Sequence, residues 1–216
     1  MPSGWNTVLV DLYLFDFDQT LYAYDFHKRL PALAELTNCT QYHLAKSWWV
    51  AGHEERADRG EYATVDAYLE AWGEATGTVL TLKAWQQSRA AAMTRSDSAV
   101  DALRYATTLG TASLLSNNNI LFRTSLPVLA PDVADILGDH DLVSADLGVT
   151  KPNPHIFELA LERFGTAPTD ALFLDDNARN VSAAQNFGIH AFQVPSVDHV
   201  PNGAAMRAAI DVFAAR

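Results

Sequence analysis

Four aspartates, a serine and a lysine stand out because each follows a short apolar run or sits in a loop built for a turn. Asp16 and Asp18 follow Leu12-Tyr13-Leu14-Phe15, and Ser116 follows Thr111-Ala112-Ser113-Leu114-Leu115. Asp175 and Asp176 follow Ala171-Leu172-Phe173-Leu174, and Lys151 lies in Gly148-Val149-Thr150-Lys151-Pro152. Brought together, the carboxylates repel unless a cation sits among them. All-oxygen donors select a hard ion, and Mg²⁺ takes a few carboxylates with waters and phosphate oxygens. Lys151 adds positive charge, while the Ser116 hydroxyl and nearby backbone N–H groups add donors. The set could therefore hold a small phosphate group. The rest of the chain could not, since 26 acidic residues against 15 basic ones leave a net charge of -11. Such a surface repels nucleic-acid backbones and anionic membranes, so neither is an expected partner.

These residues need a scaffold that gathers strand ends. The three apolar runs, with His190-Ala191-Phe192-Gln193-Val194, read as strands buried on both faces, the signature of a parallel sheet. Helical segments alternate with them. Ser98-Ala99-Val100-Asp101 reads as a capping box, with Val100, Leu103 and Ala106 on one face up to Gly110. Asn153-Pro154 opens a helix with Ile156, Phe157, Ala160, Leu161 and Phe164 inward, stopped by Gly165. Val181, Ala184 and Phe187 mark another, ended by Gly188. This alternation predicts an α/β fold with an open, Rossmann-like parallel sheet, in which ligands bind beyond the strand C-termini. Residues 21–96 break the rhythm. They show no convincing strand and carry Val65, Tyr68, Leu69 and Trp72 at helical spacing, so they read as an inserted helical domain. The expected division is a core of residues 1–20 and 97–216 and an insertion of residues 21–96. Of the tryptophans Trp48, Trp49, Trp72 and Trp85, most are expected in the core of that insertion.

With these residues laid out, the sequence resembles the haloacid dehalogenase superfamily of phosphatases. Phe15-Asp16-Phe17-Asp18-Gln19-Thr20-Leu21 looks like the first motif, Leu114-Leu115-Ser116-Asn117 the second, Lys151-Pro152-Asn153-Pro154 the third and Phe173-Leu174-Asp175-Asp176-Asn177 the fourth. The resemblance implies a Mg²⁺-dependent phosphomonoester hydrolase acting on a small phosphorylated metabolite, a sugar phosphate or nucleoside monophosphate. Asp16 would attack phosphorus and carry the phosphoryl group. Asp18 would be the general acid and base, its backbone carbonyl also meeting the metal. Ser116 and Lys151 would hold the phosphoryl oxygens, with Asn117 beside them on the substrate. Asp16, Asp18 and Asp176 would bind the metal, with Asp175 as a second candidate or an outer partner. Thr20 would tie down the first loop, and residues 21–96 would form a helical cap of the first insertion type. Within the superfamily the later motifs look most like sugar-phosphate phosphatases and the phosphatase domain of soluble epoxide hydrolases, while Thr20-Leu21-Tyr22 is similar to pyrimidine nucleotidases. The sequence departs from the common pattern at Gln19, where glycine is frequent, and at Asn180, where many members place an aspartate.

Other readings of the same residues are a 2-haloacid dehalogenase, a phosphomutase and a non-catalytic phospho-receiver domain. Asp18 argues against the dehalogenase, which normally lacks that second aspartate and needs no metal. The order of the acidic pair and the long insertion fit a receiver domain poorly. Candidate specificity residues are Tyr22, Tyr24, His53, Arg56 and Arg59. Cys39 is expected to be an ordinary free thiol, and His155 a solvent-facing side chain. The Met1-Pro2-Ser3-Gly4-Trp5-Asn6 start lacks the basic region of a secretion signal, so a cytoplasmic location is the expectation.

Overall fold

The computed structural model describes residues 11–197 and 200–216; the Met1–Asn6 stretch lies outside them. Strand β1 (Leu12–Phe15) is followed by β2 (Tyr22–Tyr24). Next come α1 (Phe26–Leu36), α2 (Gln41–Leu44), a wide helical turn at Ala45–Val50, α3 (His53–Asp58), α4 (Val65–Thr76) and α5 (Leu82–Ala92). Strand β3 (Met93–Arg95) then returns antiparallel to β2, with Tyr22 opposite Arg95. The remainder alternates: α6 (Asp97–Ala106), β4 (Thr111–Ser116), α7 (Ile120–Leu129), α8 (Pro131–Leu137), β5 (Asp141–Val143), α9 (Ser144–Leu147) and α10 (His155–Phe164). After these come β6 (Ala171–Asp175), α11 (Ala178–Phe187), β7 (His190–Gln193), the ribbon β8 (Ser196–Val197) and β9 (Val200–Pro201), and α12 (Gly203–Ala214).

The main sheet is parallel, in the order β5-β4-β1-β6-β7. This is the Rossmann-like α/β fold read from the sequence. Strand β1 has no exposed residue because both faces are covered. Tyr13 and Phe15 join the layer of α6, α7 and α12, while Leu12 and Leu14 join the layer of α10 and α11. Such two-sided burial is why the strand reads as an unbroken apolar run rather than an alternating one. A β-carbon on Gly110 would lie 2.2 Å from the Asp11 carbonyl oxygen. Glycine therefore lets the chain turn into β4 and lets Thr111 N–H donate to that same oxygen at 2.9 Å.

The helices between β2 and β3 form a lobe over the C-terminal edge of the sheet. Its interior holds Trp48, Trp72, Trp85 and Tyr68, all essentially buried. Trp48 packs on Tyr68 and Trp72 with ring centroids 5.0 Å apart. Truncating a buried tryptophan typically costs about 3–5 kcal/mol, against at most about 0.5 kcal/mol for a helix-surface pair such as Arg59–Glu55. The aromatic core, not the surface charge, holds the lobe together. Trp49 is the exception: it is only partly buried.

Five expectations need correction. Strand β7 lies at the sheet edge and is not buried on both faces, since His190 and Gln193 are exposed. Residues 21–96 do contain strands, β2 and β3, each three residues long and too short for a period to show. Strand β5, also three residues, was missed for the same reason. The helix after the lobe starts at Asp97 with Ser96 at the cap position, so Ser98 lies inside its first turn; the Ser96 hydroxyl donates instead to the Pro201 carbonyl at 3.0 Å. Thr20 is buried and its hydroxyl finds no partner among the described residues. The loop is tied by backbone instead, with the N–H groups of Thr20, Leu21 and Tyr22 converging on the Phe17 carbonyl. Among the described residues no helix is long and apolar enough to cross a membrane.

Candidate active site

Register brings the polar residues together. Phe15 pairs with Leu114 on one side and Leu174 on the other, so Asp16 emerges between the ends of β4 and β6. Adjacent strands lie about 4.8 Å apart, which puts Ser116 and Asp175 within side-chain reach of Asp16. Ser116 Oγ donates to Asp16 Oδ1 at 2.8 Å, and Lys151 Nζ donates to the same oxygen at 2.8 Å. Neither donor engages Oδ2. Lys151 also donates to Asp175 Oδ2 at 2.7 Å.

Lys151 is held from behind. The Asn117 side chain accepts from Lys151 N–H and donates to its carbonyl, both at 2.9 Å. Asn117, expected on the substrate, has its amide committed to this clamp. Asp175 is fully buried and saturated with donors: Lys151, the Asn177 N–H and the Asn180 amide. Asn180 thus explains one departure from the family pattern, since it serves Asp175 as a hydrogen-bond donor. Gln19 explains the other. Its φ of 60° is the left-handed region that glycine favours, and its side chain brackets the Tyr24 peptide, donating at 2.9 Å and accepting at 3.3 Å.

Asp16, Asp175 and Asp176 each offer an oxygen within 4.8 Å of the others. One lysine faces three carboxylates, and the imbalance shows in their acidity. Burial raises Asp16 to about 7, with Asp175 and Asp18 adding to the rise and Lys151 opposing it. Burial, then the charge of Asp175, raises Asp176 to about 6. Burial works against the Lys151 charge, but Asp16 and Asp175 outweigh it and raise its pKa. A hard dication fits this donor set, because it would restore ionisation to carboxylates that one lysine cannot neutralise. Asp176 is the partly exposed carboxylate of the three and forms no ion pair among the described residues.

Asp18 points elsewhere. Its carboxylate accepts from Arg89 Nη2 at 2.5 and 2.7 Å and from the Asn118 amide at 3.2 Å. Arg89 comes from α5 of the lobe, is buried, and lies over the Tyr24 ring at 4.3 Å. Asp18 therefore sits in a cavity between lobe and sheet, beside the Asp16 centre.

The expected specificity residues divide. Tyr24 lines this cavity. Tyr22 does not: it stacks on Phe17, and its hydroxyl donates to Asp132 at 3.1 Å. Arg56 is solvent-exposed on the outer side of α3, paired with Glu61 at 2.7 Å, and Arg59 pairs with Glu55. His53 stacks on Trp48 and bonds Tyr62 within the lobe. His155 is exposed beside Glu158, and Cys39 is a partly buried free thiol. Arg29, Glu54, Asp58 and Arg89, all at the cavity, were missed. The signal was available for the arginines. Arg29 shares a buried helix face with Leu33, and Arg89 shares one with Trp85 and Ala92. A guanidinium at a core position is rarely idle.

A parallel α/β sheet with an aspartate gripped by a serine and a lysine, beside an acidic trio at its strand ends, fits a known class of hydrolase. The chain matches the haloacid dehalogenase-like hydrolase family over residues 10–188 and belongs to it. In structure it is similar to a family enzyme from Bacteroides thetaiotaomicron, crystallised with magnesium and inorganic phosphate: TM-score 0.71, 19% identity, covering 88% of this chain and 96% of that one. It is also similar to a family hydrolase from Porphyromonas gingivalis, with TM-score 0.73 and 18% identity over 95% and 98% of the two chains. A phosphoserine phosphatase from Thermus thermophilus is 39% identical over 54 residues, 24% of this chain and 22% of that protein's length.

Lys151 gives a direct test of the centre. Lys151→Ala should lower kcat/KM by roughly 10²–10³-fold, the scale of one lost transition-state charge contact. A lysine on a solvated loop would be nearly silent, so steady-state kinetics on the folded variant decide the point.

Proposed function

We propose that this chain is a Mg²⁺-dependent phosphomonoester hydrolase that works through phosphorylated Asp16. The observation that carries the reading is the arrangement of two aspartates two residues apart. Asp16 is gripped by Ser116 and Lys151 beside an acidic trio, while Asp18 faces the adjoining cavity. A phosphoryl group over Asp16 meets Ser116 and Lys151, which stabilise charge on its oxygens. The Asp16 oxygen that those two residues leave free attacks phosphorus, and the bond to the leaving oxygen breaks. Asp18 delivers the proton that the alcohol takes with it, then removes one from the water that releases phosphate. Asp16 and Asp176 would hold Mg²⁺, with the donor-saturated Asp175 as an outer partner; the ion when bound would neutralise the carboxylates and polarise the phosphoryl group.

Residues 21–96 serve as the cap in this reading. Polar contacts join them to the core, among them Arg89 to Asp18, Gln86 to Ser125 at 3.0 Å and Ser144 to the Asp58 carbonyl at 2.6 Å, and apolar side chains of the lobe and the core also pack in one continuous cluster. In this reading the lobe covers the strand ends and excludes bulk water from the site.

Hydrolysis of 4-nitrophenyl phosphate should require Mg²⁺ and stop with excess chelator. Mg²⁺ should also raise the unfolding temperature, since it relieves repulsion present only in the folded state. Undiminished turnover in chelator would remove the metal from the mechanism and favour a dehalogenase-type reaction.

A further inference from the structure

The cavity between the lobe and the strand ends is open to solvent and has a volume of about 330 Å³, room for a small leaving group. Its charged lining comprises Asp18, Arg29, Glu54, Asp58 and Arg89. Both guanidiniums already face carboxylates, although the Nε–H of each finds no acceptor among the described residues. Arg89 holds Asp18, while Arg29 donates to the Tyr24 hydroxyl at 3.0 Å and lies 3.7 Å from Glu54. Glu54 is fixed further by Trp48 at 2.5 Å and Tyr68 at 2.9 Å. Asp58 is the exception: among the described residues no cation lies within 4 Å of its carboxylate and no donor reaches it. Burial, then the charge of Glu54, raises the Asp58 pKa well above the usual carboxylate range, with the charges of Arg29 and Arg89 opposing but not cancelling the rise. The cavity thus holds one acid more than it has bases to match.

The remaining walls are the rings of Tyr24, Phe26 and Trp49 and the amides of Asn117 and Asn118, the first committed to Lys151 and the second donating to Asp18 and Ser116. Ring faces attract cations and give an anion nothing. Among the described residues, a second anionic group on a substrate would meet here no cation that is not already beside a carboxylate, and it would face Asp58 and Glu54. A positive group would supply the missing counter-charge. We propose that the leaving group this cavity accepts is a small alcohol bearing a positively charged amine, with Asp58 as the residue that recognises the ammonium. This rests on the phosphomonoesterase reading and narrows its substrate class; the ammonium itself takes no part in bond breaking.

Three esters of equal length test it, since they differ only at the far end: phosphoethanolamine (ammonium), 2-hydroxyethyl phosphate (hydroxyl) and phosphoglycolate (carboxylate). Values of kcat/KM are measured with Mg²⁺, alongside 4-nitrophenyl phosphate. The ammonium ester should exceed the hydroxyl ester by about 10-fold or more and the carboxylate ester by more still. Asp58→Asn should bring the ammonium-to-hydroxyl ratio close to unity. Hydrolysis of the aryl phosphate with the hydroxyl or carboxylate ester preferred would overturn the cavity assignment and leave the phosphatase reading standing. So would an unchanged ratio in Asp58→Asn. Turnover of none of the four would overturn both. The wild-type series decides by itself if the variant does not fold.

Discussion

Asp16→Asn should lose activity by on the order of 10⁴-fold or more while the protein remains folded. The loss follows from the position of the side chain, which meets both Ser116 and Lys151 at the end of the central strand. The amide has a similar shape but is a far weaker nucleophile. The folding half of the prediction has a sign that can be worked out. In the metal-free protein Asp16 has its pKa raised to about 7, chiefly by burial. A carboxylate whose folded pKa exceeds its unfolded value near 4 costs nothing below that lower value. Its cost grows as pH rises towards 7 and is complete above it. Asn carries no such cost. In chelator, the variant should therefore gain stability relative to wild type as pH is raised from 4 to 8, read by denaturant unfolding at both limits. Wild-type-like turnover would dismiss the phospho-aspartate route. A relative gain at pH 4 but none at pH 8 would dismiss the electrostatic account of the cluster.

Asp18→Asn should show losses that depend on the leaving group. An alkyl phosphate needs a proton on its departing oxygen, so the first step should slow by roughly 10²–10⁴-fold. Nitrophenolate departs without one, so that first step should suffer less. Both substrates still need a base to activate water. Phosphorylated Asp16 should then accumulate with the aryl substrate, and rapid-quench capture of protein-bound phosphate would detect it. The Asn side chain can still present an oxygen to Arg89 Nη2, so the link between α5 and the sheet need not break. Equal slowing on both substrates with no phosphoprotein would reduce Asp18 to a structural anchor for Arg89.

The legible part of this protein is the part encoded by local pattern. The runs at 12–15, 111–115 and 171–174 are apolar because both faces of their strands are covered, and that property is visible residue by residue. Their polar endings, Asp16, Ser116 and Asp175, were legible because in a parallel sheet a strand end is where ligands bind. Three-residue strands such as β2, β3 and β5 left no readable period. Tyr22 and Arg56 were plausible by type and nearness in sequence, yet strand and helix phase turned both away from the cavity.

By itself the sequence determined the layered α/β architecture and the aspartates, serine and lysine that the strand ends would gather. Tertiary structure alone decided what shares a cavity with what. Arg29, Glu54, Asp58 and Arg89 lie on three helices of the lobe, and Asp18 lies on the core loop after β1. Their charges are matched or left over only once those helices pack across the strand ends. That packing is set by buried tryptophans far from any motif, so no local pattern reports it. The unmatched carboxylate of Asp58 is a property of the assembled cavity, because a charge is unpaired only with respect to neighbours that folding brings or withholds.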